Sequence, residues 1–345
     1  MKDIVEKRLR LNEVDAIRSI LVILLVLYHS FCMYDNKWEL CDNAFDINMY
    51  KWISRFAYAF LLQGYFFMSG YIWAFQKEIL KKNESFIQLV KVKSIRLLLP
   101  SLSFGVVYYL LFYKGAPISS ESDTILSFDS LMYVLNGPGH LWFLPALFWC
   151  FVLTYLLNKV KLTPLLKLLM TLICALLPYL ALPFRLGWTM FYILFFYLGY
   201  FAFLKRDYFI KLSANVMYSW GGYLLFIGIF ILLYSLKDAL PTLISNKYIF
   251  RTSSQMVEIV YSTLGLISFY LVVTRLSNKY PNLFKNITWL GGYSFSIYIF
   301  QEFILRIIYY KTEITVCLHP SIIPWFGFFV TLFLSVLLSI TIKKL

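Results

Sequence analysis

The stretch RSILVILLVLYHS, residues 18–30, begins with an arginine, ends next to a histidine and is otherwise almost entirely apolar. It belongs to an apolar segment, 17–34, close to the length of about 20 residues that a helix needs to cross a bilayer. Arg18 and His29 are costly groups in hydrocarbon, where charged side chains usually face a bundle interior or a water-filled cavity. The stretch therefore indicates a membrane-spanning helix with a polar seam.

The composition of the whole chain supports a membrane protein. Of its 345 residues, 60% are hydrophobic and only 14% are charged, whereas soluble domains carry about 25% charged residues. Too little polar surface is available to coat a soluble globule. We predict an all-α integral membrane protein that forms a single membrane-embedded domain, 1–345, with a short N-terminal tail, 1–16.

Ten segments are long and apolar enough to be predicted as spans. They are 17–34, 56–76, 97–113, 140–157, 165–182, 187–204, 216–236, 257–275, 290–310 and 322–342. Most of the 32 lysines and arginines fall in the two tails and in every second connection, which the positive-inside rule places in the cytoplasm. The pattern predicts a multi-pass protein of the cell (inner or plasma) membrane with both termini cytoplasmic. It also explains the net charge of +14 without a nucleic-acid partner.

Arg18 and His29 are predicted to share one face of the first helix. Eleven residues turn an α-helix by about three full turns plus 20°, and Asp15, three residues before Arg18, is placed to pair with it. Two ordinary interpretations stay open at this point. Arg18 is able to snorkel to the inner headgroups, and His29 is able to serve as an interfacial residue.

The other polar residues of the spans also have alternative interpretations. His140, next to Trp142, is predicted either to line a pocket for a sugar acceptor or to anchor the interface in the aromatic belt. Glu302 and Arg306, four residues apart, are expected to form a buried salt bridge in preference to a catalytic pair. Glu258 is expected at the interface, and His319, before Pro320, in a structural turn.

The five cysteines give no metal or redox motif, because none of them forms a CxxC pair. Cys32, Cys41 and Cys317 are predicted on the external side, where a disulfide is permitted, although packing of small side chains is the favoured interpretation. The sequence predicts no metal site and no permanently bound cofactor.

Five stretches, in order along the chain, resemble a known enzyme family. They are DAIRSILVILLVLYHS (15–30), FFMSGYIWA (66–74), KSIRLLLPSL (93–102), GHLWFLPALF (139–148) and GGYSFSIYIFQEF (291–303). Together they resemble acyltransferase family 3, membrane enzymes that transfer acyl groups to sugar hydroxyls of bacterial surface glycans. Each stretch is weak alone, whereas the ordered set is specific.

The resemblance implies a set of site residues. His29 would be catalytic with Arg18 as its motif partner, and Lys91, Lys93 and Arg96 would bind the phosphates of a cytosolic acyl-CoA, with acetyl as the acyl group. Family members usually carry two arginines where this chain has Lys93 and Arg96. Many also carry a histidine in the ninth span, where Gln301 and Glu302 stand here.

We therefore predict transfer of an acyl group from acyl-CoA to a carbohydrate hydroxyl, with His29 as the general base. His140, Trp142 and Glu302 are candidates for binding the acceptor, and membrane lipid surrounds the protein. A histidyl–acyl intermediate is the alternative mechanism. The rival function is a transporter or exporter of a glycan or lipid-linked sugar, although the sequence shows no internal repeat of the kind found in many transporters. A third possibility, a glycan polymerase, is expected to have larger external loops than this chain has. The sequence does not indicate an oligomeric state.

Overall fold

A computed structural model describes residues 11–41, 46–113, 128–177 and 184–344. Within these ranges the chain is helical and has no strand, which confirms the all-α prediction. The chain divides into two compact units. Unit 1 comprises Met1–Tyr65, Arg206–Leu236 and Glu258–Leu345, and unit 2 comprises Phe66–Lys205 and Lys237–Val257.

Sixteen α-helices are found in the described part of the chain. In chain order they are α1 (Asn12–Phe31), α2 (Asn48–Tyr58), α3 (Leu61–Glu78), α4 (Phe86–Lys93), α5 (Leu99–Tyr108), α6 (Phe128–Leu135), α7 (Phe143–Lys159), α8 (Pro164–Leu176), α9 (Leu186–Leu204), α10 (Arg206–Ala214), α11 (Gly222–Leu243), α12 (Lys247–Lys279), α13 (Pro281–Gly291), α14 (Ser294–Tyr310), α15 (Ile314–Cys317) and α16 (Ile323–Lys344). Cys32–Asp35 and Gly139–Trp142 form 3₁₀ turns, and Ser94–Leu98, Tyr109–Tyr113 and Met217–Gly221 form π-helical turns.

Seven helical segments in the described residues are long and apolar enough to cross a membrane. They are Glu13–Asp35, Phe86–Phe112, Gly139–Lys159, Leu186–Leu204, Met217–Leu243, Lys247–Lys279 and Ile323–Lys343. Each overlaps one of the ten predicted spans, so the chain is a multi-pass membrane protein.

The other three predicted spans contain helices that are shorter or more polar. Helix α8 has 13 residues, which rise about 20 Å and fall short of a hydrocarbon core of about 30 Å. Helix α14 has 17 residues and includes Gln301, Glu302 and Arg306, whereas α3 has 18 residues and ends with Lys77 and Glu78. The count of ten spans and the cytoplasmic position of both termini stay predictions.

The first helix starts earlier than predicted, at Asn12 instead of residue 17. Glu13 and Asp15 occupy its first turn, where a negative charge interacts favourably with the helix dipole. The helix therefore extends into the predicted tail, and tail residues 1–10 lie outside the described part of the chain. The single-domain prediction stays a prediction.

Unit 1 is built around α1, which packs against α2, α13, α14 and α16. Val22 and Val26 of α1 form one buried apolar cluster with Ile297 of α14 and Phe328 of α16. Phe31, at the other end of α1, forms a second cluster with Leu305 of α14 and Ile323 of α16. Helix α14 is thus held along α1 by apolar contacts at two levels.

In unit 2, glycines bring α3 and α9 into backbone contact. A Cβ atom at Gly70 would lie 1.9 Å from the carbonyl oxygen of Phe196, and one at Gly199 would lie 1.9 Å from that of Phe67. Only glycine fits at either position, as expected where membrane helices approach closely through small residues. Helix α9 also packs against α7 and α8.

Candidate active site

The polar seam of α1 faces α14. Arg18 donates a hydrogen bond from Nη2 to Oγ of Ser294 at 2.8 Å, and Nε2 of His29 lies 3.6 Å from Oε2 of Glu302. Both partners belong to α14, so the structure confirms that Arg18 and His29 share one face. Asp15, the predicted partner of Arg18, acts on it electrostatically, while the hydrogen bond goes to Ser294.

A close approach at the end of α13 fixes where α14 begins. The backbone N–H of Gly291 donates to Oγ of Ser19 at 2.9 Å, and a Cβ atom at this glycine would lie 2.9 Å from the carbonyl oxygen of Asp15. Ser294 donates in turn to the carbonyl of Gly291 at 2.9 Å. This contact between α1 and Gly291 brings the first turn of α14 beside Arg18.

The hydrogen bonds of His29 define its neutral tautomer. Its Nδ1 atom lies 3.1 Å from the carbonyl oxygen of Leu25, which can only accept a hydrogen bond. We therefore assign the hydrogen to Nδ1. In neutral His29 the lone pair is then on Nε2, on the side of Glu302. The ring is buried and is held at its edge by Tyr28, whose centroid is 4.8 Å away.

Glu302 joins His29 to Arg306. Its Oε1 accepts from Nε of Arg306 at 2.8 Å, and its Oε2 is the oxygen near His29. The guanidinium of Arg306 also lies over the ring of Trp38, 4.4 Å from its centroid, and this ring is 5.8 Å from that of His29. The result is a chain of contacts from histidine to carboxylate to arginine to tryptophan.

This chain of contacts extends the prediction for Glu302. The expected salt bridge with Arg306 is confirmed, and the carboxylate also contacts the candidate base, which the sequence did not predict. Trp38, in the loop after α1, was missed because no spacing rule links a loop tryptophan to a residue in a late helix. Its position so soon after the first span was the available signal.

The basic residues predicted to bind the donor belong to unit 2. Lys91 and Arg96 are exposed, and Lys93 is half-buried with its Nζ 3.6 Å from the ring centroid of Phe151. The π-helical turn Ser94–Leu98 carries Arg96. It precedes Pro100, whose ring would clash with the carbonyl of Arg96 in a continuous α-helix, and a wider turn relieves such a clash.

Further lysines surround aromatic rings of the same unit. Lys77 lies 5.8 Å and Lys159 5.4 Å from the ring centroid of Tyr155, and Lys77 is also 5.3 Å from that of Trp73. Lys159 and Lys167 act electrostatically on Lys77. These three lysines lie outside the stretches that carry the family resemblance, and they broaden the basic character of unit 2.

His140 and Trp142 also belong to unit 2, in the 3₁₀ turn before α7. His140 is buried, with the ring of Tyr108 6.4 Å away. Trp142 contacts the rings of Trp188 at 4.4 Å and Tyr192 at 5.5 Å. A buried histidine does not fit the interfacial-anchor interpretation, whereas a role in binding the acceptor stays a prediction.

The remaining candidates have structural partners. His319 accepts a hydrogen bond at Nδ1 from the backbone N–H of Ser321, in the turn before α16. Glu258 accepts from Nε2 of the buried Gln63 at 3.3 Å. All five cysteines lie in the described ranges and form no disulfide, and Cys32 and Cys41 are buried, in agreement with a packing role.

Unit 1 places a buried histidine beside a carboxylate, and comparison with known proteins gives the class of enzyme. The model of acyltransferase family 3, described as an acyltransferase domain, matches residues 11–344. The chain therefore belongs to this acyltransferase family. No curated protein and no solved structure gives a significant match to the chain.

Proposed function

We propose that the protein transfers an acyl group from acyl-CoA to a hydroxyl of a carbohydrate at the cell (inner or plasma) membrane, with acetyl as the acyl group by analogy with the family. The observation that carries this proposal is the contact of His29 with Glu302. It puts an imidazole and a carboxylate together inside a membrane domain of an acyltransferase family. Family membership favours this enzyme over the transporter that the number of spans also suggested.

In the proposed reaction, Nε2 of His29 takes the proton from the acceptor hydroxyl as the hydroxyl oxygen attacks the thioester carbonyl. The carbonyl electrons move to its oxygen and form a tetrahedral oxyanion. Collapse of this intermediate restores the carbonyl and breaks the carbon–sulfur bond. The departing thiolate of CoA takes the proton back from His29, so the enzyme is regenerated.

Glu302 supports the proton transfer through its charge. A carboxylate 3.6 Å from Nε2 stabilises the imidazolium that forms when His29 takes the proton. It lies beside the base nitrogen itself, whereas the carboxylate of a serine-protease triad binds the other ring nitrogen. Arg306 compensates the charge of Glu302 before and after the transfer. Arg18, through Ser294, is a positioning residue that fixes α14 along α1.

The basic residues of unit 2 are proposed to bind the donor. Arg96 offers a guanidinium that can hold a phosphate with two hydrogen bonds, whereas Lys91 and Lys93 offer single ammonium charges. CoA carries three phosphate groups, two in its 5′-diphosphate and one at the 3′ position, so several cations fit this ligand better than one. His140 and Trp142 are proposed for the acceptor, because an aromatic face suits a sugar ring.

The function is tested by mass spectrometry of envelope glycans from cells that encode the protein. Cells that lack it, and cells that carry only His29→Ala, are expected to lose an ester-linked acyl group that reappears with the wild-type chain. The matched control is His319→Ala, which removes a histidine whose hydrogen bond is made in a turn and should leave the ester in place. Glycans with the same esters in all four strains would contradict the proposal.

A further inference from the structure

Within the described residues, the buried side chain of Gln301 is a polar group without a hydrogen-bond partner. It has no solvent exposure, and within the described residues neither its Oε1 nor its Nε2 makes a hydrogen bond. Buried amides are nearly always hydrogen-bonded, because an unsatisfied donor or acceptor costs its lost hydration. In a membrane domain, water is scarce as a substitute. Gln301 therefore needs a specific explanation.

Its neighbours along α14 show that the position itself is suited to an apolar residue. Ile297 lies one turn before Gln301 and Leu305 one turn after it, and both are fully buried. Ile297 packs with Val22 and Val26 of α1, and Leu305 packs with Phe31 of α1. An apolar side chain between them would join the two clusters, so the glutamine interrupts a packed stripe.

The interruption lies on the side of α14 that carries the polar contacts to α1. Gln301 follows Ser294 by seven residues, which is two helical turns and about 10 Å of rise on nearly the same face. Ser294 binds Arg18, and Glu302, the next residue after Gln301, contacts His29. Along the α1–α14 pair, the amide of Gln301 therefore lies between the level of Arg18 and the level of His29.

Both arginines of this helix pair have a hydrogen-bond partner within the described residues. The guanidinium of Arg18 donates to Ser294, and that of Arg306 donates to Glu302 and lies over Trp38. Acyl transfer also needs a donor at the carbonyl oxygen, because a negative charge develops there in the transition state. Among these three residues, Gln301 is the one whose side chain makes no hydrogen bond within the described part of the chain.

We propose that Gln301 binds the acyl carbonyl of the donor and that its Nε2–H donates to the oxyanion. This inference rests on the proposed function and adds a catalytic residue to it. As the acceptor oxygen bonds to the carbonyl carbon and its proton passes to His29, the carbonyl oxygen gains the charge and the hydrogen bond from Gln301 shortens. When the carbon–sulfur bond breaks, the carbonyl reforms, and CoA leaves with the proton from His29.

The experiment compares Gln301→Met and Gln301→Leu with the wild-type chain. Methionine has nearly the same length as glutamine, and neither methionine nor leucine carries an N–H or O–H donor. The rate of ester formation is measured per molecule of purified protein, with acetyl-CoA and envelope glycan that has been treated with alkali to remove its esters. Thermal unfolding in detergent is followed on the same samples.

Both variants are expected to lower the rate by roughly 100-fold to 1,000-fold, the effect of removing one oxyanion donor. Gln301→Met is expected to unfold at the same temperature as the wild-type chain or a higher one, because it removes an unsatisfied amide. The matched control is Thr274→Val on α12, where a fully buried hydroxyl also has no partner within the described residues. It should keep both the rate and the stability.

A rate for Gln301→Met within threefold of wild type would overturn the inference. So would a large loss of its thermal stability, since that would mean that the amide is bonded in the folded protein. Failure of the proposed function gives a different result, in which the wild-type chain forms no ester. Loss of transfer in His29→Ala together with normal transfer in Gln301→Met would reject the role of Gln301 alone.

Discussion

The carboxylate of Glu302 bridges His29 and Arg306, with one oxygen 3.6 Å from Nε2 of the histidine and the other 2.8 Å from Nε of the arginine. The two ends of this bridge behave differently. The arginine compensates a charge that is already present, whereas the histidine acquires its charge only when it takes a proton. In the proposed mechanism, the bridge links the stability of α14 to proton transfer on α1.

Replacement of Glu302 with glutamine should lower acyl transfer by about 100-fold, within the usual range for loss of acid–base support. The amide has the same shape but does not stabilise the imidazolium of His29. Steady-state rates with acetyl-CoA check this prediction. Glu258→Gln is the matched control, since this carboxylate pairs with Gln63 and should tolerate the change. Equal rates for both variants would argue against a role for Glu302.

Replacement of Arg306 with methionine should destabilise the protein, because it leaves the charge of Glu302 uncompensated. Breaking a fully buried pair costs about 3–5 kcal/mol, and the side chain of Arg306 is 24% exposed, so we expect about 1–3 kcal/mol. The double variant Glu302→Gln with Arg306→Met should recover most of this stability and stay inactive. Unfolding curves in detergent for the two single variants and the double variant form a double-mutant cycle. Additive changes in the free energy of unfolding would show that the two residues do not interact.

Replacement of Ser294 with alanine should cost about 1 kcal/mol, the usual net value of one hydrogen bond, and should lower activity less than any change of Arg18. Ser294 is one partner of the guanidinium of Arg18, whereas a change of Arg18 also removes its electrostatic interaction with Asp15. The order of severity is measured from the activity and the unfolding of three variants: Ser294→Ala, Arg18→Lys and Arg18→Met. A more damaging effect of Ser294→Ala than of Arg18→Met would contradict it.

Replacement of Gly70 with alanine should abolish the packing of α3 on α9, because the new Cβ atom would lie 1.9 Å from the carbonyl oxygen of Phe196. We expect little folded protein in membranes, as judged by size-exclusion chromatography in detergent. Gly228→Ala is the control, since a Cβ atom there meets nothing within 4 Å and alanine favours a helix by about 1 kcal/mol. Normal yield of Gly70→Ala would show that the two backbones do not approach closely.

Replacement of Lys91 and Arg96 with glutamine should raise the KM for acetyl-CoA at least tenfold and leave kcat nearly unchanged. The reason is that phosphate contacts bind the donor equally in the ground state and the transition state. Acetyl-dephospho-CoA, which lacks the 3′-phosphate, separates charge contacts from general damage. The wild-type chain should discriminate against it and the double variant should not, whereas unchanged discrimination would assign the phosphates to other residues.

The sequence predicted those features of the site that depend on a single helix. Helical periodicity put Arg18 and His29 on one face, and the four-residue spacing paired Glu302 with Arg306, because both rules act within a few turns of one helix. The contact of His29 with Glu302 was beyond this reasoning. It depends on how α14 docks along α1, which is set by the approach of Gly291 to Asp15 and by two apolar clusters.

The same distinction explains the fold. Long apolar stretches gave the seven spanning helices that the structure bears out, since hydrophobicity and length decide them locally. Helices α3, α8 and α14 are not among these seven, because polar residues or a short length weaken the hydrophobic pattern that identifies a membrane span. The role proposed for Gln301 could not be predicted from the sequence, because a sequence does not show whether the side chain of a glutamine in a span is hydrogen-bonded.

The most direct test of the central claim is acyl transfer by purified protein from radiolabelled acetyl-CoA to alkali-treated envelope glycan. The account predicts that the wild-type chain labels the glycan and that His29→Ala lowers the rate by at least about 100-fold without loss of folded protein. Arg18→Ala should show a comparable defect. Labelling by both variants at rates within threefold of wild type would contradict the assignment of His29 as the base.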